Sequence, residues 1–141
     1  MKKQKQKVLY DSINNKLIEI SKKNSLKLLI LFGSRANGTE NDNSDFDFAF
    51  ISKKLFDTED HENLRDQIIE ILNFEKVDLI NIKKEDDVLI KRNIFDTGIC
   101  IYESEKGLYD STFVDVIYDY MEYEPMFRIE KEIVENKLKM L

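Results

Sequence analysis

Residues 26–52 leave few folds open. Leu26 to Phe32, LKLLILF, is an almost continuous apolar run, which predicts a strand buried on both faces. The next twelve residues, GSRANGTENDNS at 33–44, hold two of the four glycines together with Ser, Thr, Asn and Asp, and predict a loop or a short helical turn. From Asp45 to Ser52 the pattern then alternates. Phe46, Phe48 and Phe50 point one way, while Asp45, Asp47 and Ala49 point the other, so one face of this strand carries two carboxylates.

The flanking chain supplies the other elements. Leu9, Ile13, Leu17 and Ile20 recur at helical spacing and predict an amphipathic helix over about 4–24. Thr58 is the expected N-cap of a helix running to Phe74, with Leu64, Ile68, Ile71 and Leu72 as its apolar stripe. Val77 to Ile82 reads as a third strand, interrupted by Asp78. A helix from about Asp86 is expected to end at Gly98 in a left-handed cap, followed by a short strand from Ile99 to Tyr102. Beyond Gly107 the pattern is helical to the end, broken or kinked near Pro125. The expected fold is α/β, a small mixed sheet flanked by helices, with a catalytic core over about 26–104 and a C-terminal helical tail over 107–141. A chain of 141 residues fits a single domain over 1–141.

Composition narrows the classes. With 42% apolar residues the chain can bury a real core, and its longest apolar run, Leu28 to Phe32, falls far short of the roughly 20 residues that span a bilayer. The N-terminus is Lys/Gln-rich without a secretory pattern, so a cytoplasmic protein is expected. One cysteine, Cys100, excludes an internal disulfide, and one histidine, His61, excludes the usual zinc sets. The net charge of −6 hides an asymmetry: residues 1–35 carry nine basic and two acidic side chains, the remaining residues 13 and 26. The Lys2 to Lys7 stretch raises a nucleic-acid arm as a possibility, but an acidic chain holds polyanions poorly, and a solvated helix face is the expectation.

The chemistry concentrates in 31–52 and 77–82. Gly33 after a buried strand lets the backbone turn sharply and approach a phosphate, and Ser34 adds a hydroxyl donor. Asp45 and Asp47, two apart on a strand, project carboxylates from one face, and Asp78 can add a third from a neighbouring strand. Three acids beside a phosphate-gripping turn suit two-metal phosphoryl or nucleotidyl transfer. A lone DxD is common on the wet face of an edge strand. Its weight here comes from the upstream Gly-Ser pair and from Asp78.

This G-S-x10-D-x-D pattern after a buried strand resembles the signature of the DNA polymerase β-type nucleotidyltransferases. The small size, the VDLI strand and the segment DDVLIKRNIFDTGICIYE are similar to the minimal nucleotidyltransferases, in particular the MntA-type antitoxins of HEPN/MNT toxin–antitoxin pairs, over about 26–125. The resemblance implies a nucleotidyltransferase fold and transfer of AMP from ATP to a tyrosine hydroxyl of a HEPN ribonuclease toxin, which is thereby silenced. It also implies that Gly33, Ser34 and Arg35 hold the triphosphate, with Arg35 neutralising phosphate charge. Asp45, Asp47 and Asp78 would bind Mg²⁺, two ions in all, and Asp78 would help activate the incoming hydroxyl. Many relatives carry a second acid where this chain has Asn81, which faces the other side of the strand from Asp78.

Other residues read as structural. His61 is expected to be solvent-exposed and Cys100 a buried, inert thiol. Tyr102, Tyr109, Tyr118, Tyr120 and Tyr123 should pack on the core or its margin, with partner contacts an alternative for some. Lys53, Lys54 and Arg92 are further candidates for phosphate contact. The tail from Glu124 to Leu141 carries Phe127, Ile129, Ile133, Val134 and Leu138 at helical spacing. It is expected to pack on its own domain, with a toxin or dimer interface as the alternative. Rival functions are transfer to a small-molecule hydroxyl, for which the tail looks too short to add a substrate domain, and a non-catalytic antitoxin that acts by binding.

Overall fold

The computed structural model of the chain describes residues 9–41 and 43–140. The elements run β/α in the predicted order: α1 (Asp11–Lys23), β1 (Leu26–Phe32), α2 (Ser34–Asn37), β2 (Phe46–Ser52), α3 (Thr58–Leu72), β3 (Val77–Asn81), a 3-10 turn (Ile82–Lys84), α4 (Val88–Thr97), β4 (Ile99–Glu103) and α5 (Leu108–Lys139). The strands form one mixed sheet in the order β3-β2-β1-β4. β1 pairs antiparallel with β2 and with β4, whereas β2 and β3 are parallel, with α3 as the connection between them. The mixed sheet and its flanking helices are the fold class the sequence implied.

The apolar run of β1 explains why it is central. Leu28, Leu29, Ile30 and Leu31 are all fully buried, alternating between two cores on opposite faces of the sheet. On one face Leu29, Leu31, Phe48 and Phe50 meet Leu17 of α1 and Leu64 and Ile68 of α3. On the other, Leu28, Ile30, Phe32 and Ala49 meet Ile94 and Phe95 of α4 and Val116 of α5. Each large side chain so buried contributes about 1.5–3 kcal/mol of transfer free energy, which holds the strand edges carrying the acids in a fixed register.

Local chemistry differs from expectation at several ends. Helix α1 begins at Asp11, because Tyr10 is extended (ψ 153°) and Leu9 tucks into the core ahead of the helix. The predicted residues 4–8 of that helix lie outside the described residues, as does the Lys2 to Lys7 stretch. The cap of α3 is Asp57 rather than Thr58: its carboxylate accepts from the Asp60 N–H at 2.8 Å, and the Asp60 carboxylate accepts from the Asp57 N–H at 3.1 Å. This reciprocal capping box satisfies two donors at once, which a threonine one residue later cannot do. Gly98 is not left-handed; it is extended at φ −76°, ψ 150°. Glycine is needed there for space, since a Cβ would run into the Ile94 carbonyl and sit 2.8 Å from Ile30 and 2.9 Å from the Tyr109 hydroxyl.

The largest departure is the tail. Helix α5 runs unbroken through Pro125, so the expected break does not occur. A proline inside a helix removes one backbone donor, and the remaining ladder of a 32-residue helix carries the element past it. Only its first turns pack on the sheet, through Leu108, Tyr109, Phe113 and Val116. Beyond them Met126, Phe127, Ile129, Ile133, Val134 and Leu138 are all exposed, so the expectation that this segment packs on its own domain is corrected. The tail carries a wide apolar arc that no layer among the described residues covers. Among the described residues no helix is long and apolar enough to cross a membrane.

Because Pro125 to Met140 is exposed, removal of the chain from Pro125 onward should leave the melting temperature within about 2 °C of the full chain by circular dichroism, as expected for surface changes. A fall of more than about 5 °C would mean that the segment does pack on the core.

Candidate active site

The site grows from two strand registers. Where β1 ends, Phe32 pairs across to Asp47 of β2, and Asp47 in turn pairs with Asp78 of β3. The turn after β1 therefore lies against the Asp47 carboxylate. Gly33 has φ +79°, a conformation that side chains disfavour, and a Cβ there would collide with Asp47 Oδ2. Glycine is required at this position for both reasons. The turn is also tied from behind: the Gly33 N–H donates to Thr97 Oγ1 at 3.1 Å, and that hydroxyl donates to the Asn93 carbonyl at 2.8 Å. Thr97 escaped sequence reading, since nothing local marks a threonine at the end of α4 as a partner for residue 33.

Asp45 lies just before β2, on the same side as Asp47, and carboxylate oxygens of Asp45, Asp47 and Asp78 all come within 4.8 Å of one another. Asp45 and Asp78 are exposed, whereas Asp47 is half-buried. Burial pushes the Asp47 carboxyl up to about 6, and the charges of Asp78 and Asp45 and a hydrogen bond with Asp78 push the same way. Three convergent carboxylates repel one another unless a proton or a cation lies between them. Hard oxygen donors at this spacing suit Mg²⁺, which favours a few carboxylates and fills its remaining positions with water and phosphate oxygens. The donor set fits a divalent ion.

The structure gathers Gly33, Ser34, Asp45, Asp47 and Asp78 at one end of the sheet, with Ser34 opening α2 directly after the turn. Arg35 is near, but its guanidinium is engaged: Nη2 and Nε donate to the Ser44 carbonyl at 3.0 and 3.3 Å, and Cζ lies 4.3 Å from the Phe46 ring centroid. Lys53 and Lys54 follow the far end of β2 and are not brought to the acids. Arg92 pairs with Asp96 at 3.0 Å and lies over the Tyr120 ring. Asn81 caps the 3-10 turn, accepting from the Lys83 N–H at 3.2 Å. His61 is half-buried against Phe50, with ring centroids 5.7 Å apart, rather than simply exposed. Cys100 is half-buried, and burial raises its thiol to about 11, which keeps it protonated and unreactive.

A family model, polymerase beta nucleotidyltransferase, matches residues 15–107. This chain belongs to that family. The match takes in both strands that carry the acids, the Gly33 turn and Thr97, and ends where α5 begins. No curated protein matches the chain by sequence. Among solved structures, a toxin–antitoxin complex with AMP-PNP aligns at a TM-score of 0.74 and 23% identity, over 86% of this chain and 97% of that one. A tri-AMPylated Shewanella oneidensis HEPN toxin in complex with MNT antitoxin aligns at 0.66 and 21%, over 87% and 96%. An MntA–HepT toxin–antitoxin complex aligns at 0.70 and 20%, over 89% and 98%. At these identities the likeness is one of fold, and it agrees with the nucleotidyltransferase family.

The raised Asp47 pKa has a definite sign. The folded state binds this proton more tightly than the unfolded chain, whose value is 3.8, so the stabilisation is complete at low pH and lost as pH rises through about 6. Without divalent metal, Asp47→Asn should therefore melt above the unsubstituted protein near neutral pH, and the gap should close towards about pH 4. Thermal melts in chelator across that range check it; a gap independent of pH would remove the electrostatic cause.

Proposed function

We propose that this nucleotidyltransferase is the antitoxin of a toxin–antitoxin pair and transfers AMP from ATP to a tyrosine hydroxyl of a HEPN-type ribonuclease toxin, in the cytoplasm. The observation that carries the reaction class is the convergence of Asp45, Asp47 and Asp78 beside the Gly33 turn. Substrate and partner are supported by two fold relatives, one with AMP-PNP and one an MNT antitoxin with a tri-AMPylated HEPN toxin. The exposed apolar arc of α5 supports a protein partner as well, because contiguous exposed apolar patches of this kind mark interaction surfaces.

In this reading Asp45, Asp47 and Asp78 would hold Mg²⁺, two ions in all, which would supply charge neutralisation at the triphosphate and a lowered pKa for the attacking hydroxyl. Gly33 lets the backbone approach the triphosphate closely. The Gly33 N–H is already spent on Thr97, so in this reading the Ser34 hydroxyl supplies a donor to the triphosphate at this turn. The tyrosine oxygen attacks the α-phosphorus, a bond to that phosphorus forms, and its bond to the pyrophosphate oxygen breaks. The phenolic proton leaves towards Asp78 or water. Catalysis is mostly positioning and charge neutralisation.

The test uses purified protein with its toxin, α-labelled ATP and Mg²⁺. Label should move to a tyrosine of the toxin, and Asp45→Ala or Asp47→Ala should lower the rate by about 10³-fold or more while the complex still forms. If those variants neutralise the toxin as well as the unsubstituted chain does, the protein acts by binding alone. Transfer to a small-molecule hydroxyl in place of the toxin would move the substrate assignment.

A further inference from the structure

We propose that Arg35 is a positioning residue for the metal site: it clamps the chain on both sides of Asp45 and so holds that carboxylate within reach of Asp47 and Asp78. The inference rests on the reading of those acids as metal ligands.

Three observations carry it. Nη2 and Nε of Arg35 converge on one acceptor, the carbonyl of Ser44, which is the residue immediately before Asp45. The guanidinium also lies over the ring of Phe46, the residue immediately after Asp45, and 5.2 Å from the ring centroid of Phe74. Phe46 and Phe74 meet edge to face at 5.3 Å, so the aromatic pair and the cation form one packed unit. Among the described residues of this loop the side-chain bonds are local: Thr39 with Asn37, the Asn43 N–H with Asn41, and the Asn41 N–H with Ser44. They shape the loop, while the Phe46 N–H, donating to the Lys76 carbonyl at 2.9 Å, ties the strand entry to the start of β3. Arg35 adds a second tie from the other side, joining α2, which opens at the Gly33 turn, to the entry of β2. A planar guanidinium does this because it can donate twice to one oxygen while stacking on a ring. A lysine ammonium, compact and strongly hydrated, offers the same charge without that geometry.

Arg35 is thus assigned a different task from neutralising phosphate, and the two tasks separate on substitution. If Arg35 positions Asp45, Arg35→Lys should weaken Mn²⁺ binding by about 10-fold or more in calorimetry on the nucleotide-free protein, as other outer partners of metal ligands do. Backbone exchange over 40–46 should quicken, and kcat should fall while KM for ATP stays within about 2-fold. Phe74→Leu keeps the charge and removes one ring, and should show a smaller loss of Mn²⁺ affinity with the same pattern. If Arg35 only neutralises phosphate, Arg35→Lys will bind Mn²⁺ with unchanged affinity and Arg35→Ala will raise KM for ATP; that result overturns the proposal. Asp45→Asn is the control. Should it bind Mn²⁺ as tightly as the unsubstituted chain, the metal-site reading falls and takes this inference with it. Should Asp45→Asn lose binding while Arg35→Lys keeps it, only the role of Arg35 is overturned.

Discussion

Everything in this structure is arranged around bringing like charges together. Two backbone registers, Phe32 opposite Asp47 and Asp47 opposite Asp78, force the carboxylates to one end of the sheet whatever their repulsion. The consequence is written in the raised pKa of Asp47, which is half-buried and faced by two other acids. Such a cluster costs stability in the empty protein, and it persists because the strands beneath it are held by a core on both faces. The free energy of burying Leu29, Leu31, Phe48 and Phe50 on one side and Leu28, Ile30 and Phe95 on the other greatly exceeds the cost of a few crowded carboxylates. A divalent cation held there would turn the same repulsion into binding energy.

The turn beside the acids is equally constrained. Gly33 is the point where a left-handed backbone, a close carboxylate and a tether to Thr97 coincide. Its N–H is consumed by that tether, which stiffens the turn at the expense of one anion contact. Rigidity of this kind is what positioning catalysis asks for: groups already in place need no reordering when the substrate arrives. The exposed arc of α5 stands in contrast. It extends the helix that closes the second core, yet among the described residues its apolar side chains from Met126 to Leu138 stay exposed, with Phe127 stacked on Tyr123 of the same helix.

The fold and much of the site were legible because their signals are local. A five-residue apolar run, an alternating DFDFAF and an acid inside a strand report burial and facing directly, through the period of the backbone. What sequence reading misplaced depended on distant groups. Thr58 lost the cap to Asp57 because Asp60 could reciprocate. Gly98 looked like a helix stop and is instead a gap for the Ile94 carbonyl, Ile30 and Tyr109. The partners of Arg35, namely Ser44, Phe46 and Phe74, were beyond sequence reading for the same reason, since they are set by how loop, strand and helix end meet.

The sequence by itself determined the class of fold, the order of its strands and helices, and the three acids and the glycine of the candidate site, since side-chain period and residue chemistry are properties of short segments. Only the tertiary structure decided that Asp47 and Asp78 lie directly opposite, that Thr97 restrains Gly33 across 64 positions of chain, that Arg35 grips the residues around Asp45, and that the tail leaves the core uncovered. Those outcomes come from strand pairing and packing between segments far apart in sequence, where the free energy belongs to the pair and neither segment carries it alone.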